Sequence, residues 1–285
     1  MLKRLYLQRR RLMVWAFCAV LMFPLLTFSG LAAFHWLVVA AGAVVFCLIT
    51  TVFAAVFLLL LPRLRTTVEI LAVGLLFTSL TSPVVQLLFP FDLIVYFLPF
   101  LCAIAASTLL YGKWSDGRGW WLKSKSTRGF KTRLSAKEIW PALAPGLGET
   151  FDYHAGLLCD IEPDPDDEDT FNLRYSMGHS MFEHQQITFL SKTPYSHVKY
   201  YYMGDVSDKN RSFAEGTWEA TLTPTSKGTK VVITEERPAM HPRIGLLYWL
   251  EDSLGDKAVS IKSNLEDRFD WSMFGIFTRD ASDLA

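Results

Sequence analysis

The side chains equipped for catalysis or metal binding are scattered along this sequence. Histidines 154, 179, 184, 197 and 241 all fall in its C-terminal part. A zinc site needs three or four ligands converging on one point, and only His184 and His197, on neighbouring strand-like segments, are placed to meet. The run Asp164-Pro165-Asp166-Asp167-Glu168-Asp169 offers carboxylate oxygens, but it lacks the glycine and the alternate spacing of a calcium loop. Like charges packed so closely repel and stay hydrated, so the run reads as a solvated hairpin tip. Arg174, Tyr175 and Tyr202 could polarise a carbonyl, yet nothing in their spacing selects them over packing. No GxSxG, HExxH or P-loop pattern occurs, and no GxGxxG follows a strand. No catalytic residue, metal ligand or cofactor is assigned, and the question of an enzyme stays open without a poised base and nucleophile.

The chemistry that does recur is apolar. Phe171, Leu173 and Tyr175 alternate onto one face of a strand-like segment, as do Ile187 with Phe189, Tyr200 with Tyr202, and Trp218 with Leu222. Leu250 and Leu254 add aliphatic surface from a helical stripe. A concave aromatic wall with few polar groups suits a hydrophobic ligand; a filled core is the other outcome of the same pattern.

The elements that must carry these residues centre on positions 216–267. A strand at 217–223 alternates Trp218, Ala220 and Leu222 against threonines and Glu219, a turn follows at Lys227-Gly228, and a second strand covers 230–236. One long helix over 242–267 is predicted from the stripe Leu247, Leu250, Leu254, Ala258, Ile261 and Leu265. Upstream, a short strand at 130–135 leads into Ser135-Ala136-Lys137-Glu138, a capping-box pattern, and a helix through Trp140 and Leu143 that Pro145-Gly146 ends. Strands follow at 154–162, 170–177, 182–190 and 197–203. Strand, helix, several strands and a long helix make an α+β domain with one curved antiparallel sheet.

The first 111 residues are of another class. Apolar stretches at 12–29, 32–61, 68–89 and 93–111 each approach or exceed the ~20 residues that cross a bilayer as a helix. Four transmembrane helices are predicted. The basic start and the small residues at Ser29-Gly30-Leu31-Ala32-Ala33 leave a cleaved signal peptide as the competing reading of the first. Lys and Arg cluster at the N-terminus, at Arg63 and Arg65, and after the fourth span, which places both termini in the cytoplasm of a multi-pass inner-membrane protein. Glu69, close to Arg65, is expected to snorkel or pair at the inner end of its span. Residues 112–129 read as a juxtamembrane linker whose Trp114, Trp120, Trp121, Lys123 and Lys125 meet the headgroups. The α+β domain then runs over 130–267, with a tail at 268–285.

The chain's 28 basic and 28 acidic residues cancel. Residues 1–111 hold seven Lys/Arg and two acids, so the remainder is net acidic and does not suit a nucleic-acid partner. Cys18, Cys47 and Cys102 lie in apolar runs and Cys159 is alone, which fits a reducing compartment.

Three passages carry a family resemblance. Ser135-Ala136-Lys137-Glu138-Ile139-Trp140 looks like the strand-then-helix opening of the START-related lipid-transfer superfamily, also called SRPBCC or polyketide cyclase-like. The hairpin of Thr217-Trp218-Glu219-Ala220-Thr221-Leu222-Thr223-Pro224 and Gly228-Thr229-Lys230-Val231-Val232-Ile233-Thr234 is similar to that family's penultimate hairpin. The helix to Asp267 resembles its C-terminal lid. The resemblance implies a helix-grip fold holding a lipid, isoprenoid or similar small molecule between sheet and helix. Membrane lipids and a hydrophobic small molecule are the implied partners, with a non-catalytic membrane scaffold bound to another membrane protein, or a cyclase-like enzyme, as the alternatives.

Overall fold

The structure is a computed structural model that describes residues 2–27, 36–88, 92–146, 158–176, 182–204 and 215–276. The chain divides into two compact units. One is Met1–Gly119 with Leu246–Glu251; the other is Trp120–Gly245 with Asp252–Ala285.

The first unit is helical: α1 (Leu2–Leu7), α2 (Arg9–Thr27), α3 (Trp36–Leu60), α4 (Thr66–Leu88) and α5 (Asp92–Tyr111). Helix α2 packs on α3 and α4, and α4 packs on α5. Among the described residues three helices are long and apolar enough to cross a membrane, Trp36–Leu60, Thr66–Leu88 and Tyr96–Asp116, where the sequence predicts four. The first apolar stretch does form α2, but that helix opens on Arg9, Arg10 and Arg11. The end of that stretch, with residues 28–35, lies outside the described residues. Helix α4 approaches α5 closely: a Cβ on Gly74 would stand 2.9 Å from Ala103 Cα on α5, so the two backbones touch only because Gly74 has none. The hydroxyls of Thr78, Ser79 and Thr81 donate to their own helix, four residues back.

The second unit contains a seven-stranded antiparallel sheet of order β1-β7-β6-β5-β4-β3-β2. Its strands are β1 (Leu122–Thr132), β2 (Leu158–Pro163), β3 (Thr170–Ser176), β4 (Phe182–Thr193), β5 (His197–Gly204), β6 (Glu215–Thr225) and β7 (Gly228–Met240). Strand β1 starts eight residues before the expected segment, so much of the expected linker is sheet. Its inward positions are Ser124, Ser126 and Arg128 before Phe130 is reached, and a polar inward face hides the period-2 signal. Outward Lys123, Lys125 and Lys131 line this edge strand and discourage pairing with another chain. Part of the strand expected at 154–162 lies outside the described residues; the rest is β2.

After β1, α6 (Ala136–Ile139) begins with the predicted capping box: Ser135 accepts from the Glu138 amide while the Glu138 carboxylate accepts from Ser135 N and Oγ. That hydrogen bonding holds the Glu138 carboxyl below its ordinary value. The expected single C-terminal helix is two, α7 (Pro242–Glu251) and α8 (Ser253–Leu265), broken at Asp252, whose backbone is left-handed (φ 50°). The Asp252 carboxylate is held by Arg128 of β1. The predicted stripe is therefore divided. Leu254, Ala258 and Ile261 join the core of the sheet, where burying a Leu or Ile contributes about 1.5–3 kcal/mol each. Leu250 is buried but belongs to the first unit, so it does not line the sheet.

The other face of α8 holds the chain that follows. The Asp256 carboxylate accepts from Met273 N at 3.0 and 2.9 Å and from Phe274 N at 3.2 Å, satisfying the start of a helical turn at 273–276. Ser260 Oγ donates to Asp270 Oδ2 at 2.6 Å. The described part of the expected tail thus packs on the domain. Asp256→Ala is expected to strip these amides of their acceptor, costing about 1–3 kcal/mol. Hydrogen exchange should then show faster exchange at Met273 and Phe274 while strand amides stay protected; unchanged protection at those two amides would contradict the assignment.

Candidate functional site

The helix-facing surface of the sheet is an aromatic wall. Phe171 on β3 meets Phe189 on β4 edge-on at 5.8 Å, Phe189 meets Tyr200 on β5 at 6.1 Å, and Tyr200 stacks on Trp218 of β6 at 5.0 Å. Antiparallel register produces this row: Phe171 opposes Ile187, Phe189 opposes Tyr200, and Tyr200 opposes Trp218. Leu173, Ile187, Tyr202 and Leu222 share the same buried cluster as Leu254, with Phe171 and Tyr175 packed partly buried against it. Every wall residue expected from the sequence is on this surface except Leu250.

At one end the wall turns polar. Strand β7 keeps its alternation past Val231 and Ile233, so Glu235 and Arg237 face the same way. Tyr202 Oη donates to Glu235 Oε1 at 2.7 Å, and Arg237 donates to the same oxygen from Nε at 3.2 Å and from Nη2 at 2.8 Å. The two side chains are 14% and 13% exposed. Lys257 of α8 holds its Nζ 5.8 Å from the Trp218 ring centre. Trp218 is 2% exposed, and its indole Nε1 has no hydrogen-bond partner. Gly216 makes the arrangement possible, since a Cβ there would stand 2.7 Å from Tyr202 Oη and 2.5 Å from Glu236 O.

Burial pushes the Glu235 carboxyl up. The charges of Arg237 and Lys257 and the bonds from Tyr202 and Arg237 outweigh it, so the group ends below its ordinary value and is ionised. The sequence reading ends this strand at 236 and gives Glu235 and Arg237 no role, whereas β7 runs on to Met240. The signal that places them inside is parity with Val231 and Ile233.

The other expected groupings do not form. Arg174 lies on the outer face, bonded to Asp160 at 3.0 Å, and so does not join Tyr202. His184 sits opposite Arg174, whereas His197 sits opposite Thr193 at the far end of β4. His197 Nε2 instead bonds Glu219 Oε1 at 3.1 Å, a contact that, with nearby Lys199, holds the Glu219 carboxyl below its ordinary value. No group of three His, Cys, Asp or Glu able to hold a metal occurs among the described residues. The acidic run caps its own hairpin: Asp164 Oδ1 accepts from Asp166 N, and Asp167 accepts from Asp169 N and Thr170 Oγ1.

The tryptophans near the last apolar helix are exposed. Trp114 Nε1 donates to Leu109 O at 3.0 Å, and Trp121 packs tilted against the His241 ring at 4.5 Å. Lys123 is exposed on β1, and Lys125 pairs with Glu236.

The first unit has two features of its own. A groove of about 370 Å³ is lined by Trp15, Phe53, Phe57, Leu60, Val68 and Leu71. The second is a charged cluster. Glu69, 1% exposed, pairs with Arg11, 0% exposed, and accepts from Tyr111 Oη. Arg65, the partner expected for Glu69, bonds Glu251 instead, from Nε at 2.9 Å and Nη2 at 2.6 Å. Arg11 Nη2 reaches the same Glu251 oxygen at 3.3 Å.

No family model matches the chain, and no curated protein matches it in sequence. Among solved structures it is similar to a protein from Mesorhizobium loti (17% identity, TM-score 0.38), covering 52% of this chain and 99% of that one. A protein from Chromobacterium violaceum (13% identity, TM-score 0.37) covers 50% and 97%. A conserved protein from Geobacillus kaustophilus (16% identity, TM-score 0.38) covers 51% and 96%.

Proposed function

We propose that the second unit is a START-like, helix-grip domain of the SRPBCC class that takes up a hydrophobic molecule between its sheet and α8, and that the apolar helices of the first unit hold it at the cytoplasmic face of a membrane. The observation that carries this reading is the aromatic row from Phe171 to Trp218 ending in buried polar groups on the same face. An apolar surface with a few convergent polar side chains is the composition of a small-molecule site. Uptake is driven by burial of the ligand's apolar surface at about 25 cal/mol per Å². Exposed Trp120, Trp121 and Lys123 suit the headgroup region, where a lysine contributes on the order of 1 kcal/mol, so the ligand is drawn from the adjacent leaflet.

Leu254 is the α8 side chain to test. It is 4% exposed within the sheet's core, and a larger ring there fills the space between helix and sheet. Leu254→Trp is expected to abolish ligand uptake, with an overpacking cost of about 1–3 kcal/mol that leaves a cooperative thermal transition. Undiminished uptake by the folded variant would contradict the proposal.

A further inference from the structure

We infer that the molecule held between the sheet and α8 is a single-chain amphiphile with a carboxylate head, a long-chain carboxylic acid, and that Trp218 Nε1 and Lys257 Nζ receive its two oxygens. This rests on the uptake reading above and adds the chemistry of the head. Three observations point to it.

The first is an unused donor. The indole N–H of Trp218 is enclosed without an acceptor, in a side chain 2% exposed. A buried donor left without a partner loses the hydrogen bond it had to water, and a ligand oxygen restores it. The second is charge. Glu235 is neutralised by Arg237, which donates to it twice. Lys257 stands over the Trp218 ring and adds its charge to that of Arg237 in holding Glu235 ionised, with no close ion pair of its own among the described residues. The cluster of Glu235, Arg237 and Lys257 therefore carries one net positive charge, and a monoanion cancels it. The third is size. Trp218 lies in the interior of the sheet, two strands in from the β1 edge. A head seated there must be compact, because every further polar group it carries is also removed from water. A carboxylate presents two oxygens to two donors. A glycerophosphodiester brings additional polar groups, and an alcohol leaves Lys257 unneutralised. Reaching this donor requires α8 to lift from the sheet, and α8 begins at the left-handed Asp252.

The test uses the full chain in phosphatidylcholine nanodiscs, photolabelled with a diazirine-bearing palmitic acid. Palmitic acid, hexadecanol, methyl palmitate and phosphatidylglycerol serve as competitors, and the labelled peptides are mapped by mass spectrometry. The label is expected on β5, β6, β7 or α8, with palmitic acid competing about tenfold better than the alcohol or the ester, the scale of one charge-assisted hydrogen bond. Lys257→Met keeps the aliphatic stem and is expected to erase that preference while hexadecanol competes as before. Trp218→Phe keeps the ring and is expected to weaken competition by the acid. Equal competition by acid, alcohol and ester in the unaltered protein overturns the carboxylate assignment and leaves uptake standing, as does a preference that survives Lys257→Met. Stronger competition by phosphatidylglycerol also overturns it. Absence of label from the sheet unit with any probe overturns the uptake reading itself.

Discussion

Arg237→Met is expected to destabilise the sheet unit by about 3–5 kcal/mol, the cost of leaving a buried charge without its partner. Arg237 supplies two of the three hydrogen bonds to Glu235 Oε1. With it gone, Tyr202 Oη and the more distant Lys257 remain. Methionine fills similar space, so packing loss is a minor part of the effect. Adding Glu235→Gln removes the stranded charge and is expected to recover most of the loss. Hydrogen exchange at β7 amides, read in the two variants and the parent, reports both numbers.

The pH dependence follows from the sign of the Glu235 shift. Its folded carboxyl lies below the ordinary value, which is about 4.3 for glutamate. The stabilisation is fully present above that value and is lost as pH falls through the lower folded one. In Arg237→Met the leading attraction is removed while burial stays, so the folded value rises. That variant gains relative stability on acidification, and its deficit against the parent is expected to shrink between pH 7 and pH 4. A deficit that is constant with pH would assign the effect to packing.

Arg11→Met is the second large effect, again about 3–5 kcal/mol, now in the helical unit. Arg11 is 0% exposed and pairs with Glu69 at 1% exposed, while its other nitrogen reaches Glu251. Removing the guanidinium leaves Glu69 with the Tyr111 hydroxyl alone, at the end of an apolar helix where water is scarce. Glu251 keeps Arg65, so it is the lesser casualty. Thermal unfolding in nanodiscs is expected to show a lower transition for Arg11→Met and substantial recovery on adding Glu69→Gln. Tyr111→Phe should cost less, since the ion pair survives. A single variant within 0.5 kcal/mol of the parent, the range of ordinary surface changes, would contradict the pairing.

Strand alternation carried most of the second unit. The wall from Phe171 to Leu222 was legible because apolar and polar residues alternate cleanly there, and the antiparallel order then places neighbouring rings together. The same rule failed where the inward positions are polar. Ser124, Ser126 and Arg128 concealed half of β1, and Glu235 with Arg237 concealed the polar end of the wall. The break at Asp252 was hidden for another reason: the stripe through Leu250 and Leu254 continues in step across it, and helical periodicity does not register a single left-handed residue. The pairing of Glu69 could not be read from sequence proximity. Arg65 lies one turn away from it, and tertiary packing assigns Arg65 to Glu251 and Glu69 to Arg11.

The measurement that tests uptake most directly is native mass spectrometry of the full chain released from nanodiscs, followed by organic extraction of the same sample. A reproducible apolar adduct of defined mass, present in the parent and absent from Leu254→Trp, is the predicted result. A clean apo mass in the parent, unchanged after incubation with a total lipid extract, would contradict uptake and leave the sheet and α8 as a filled core whose role lies in binding another membrane protein.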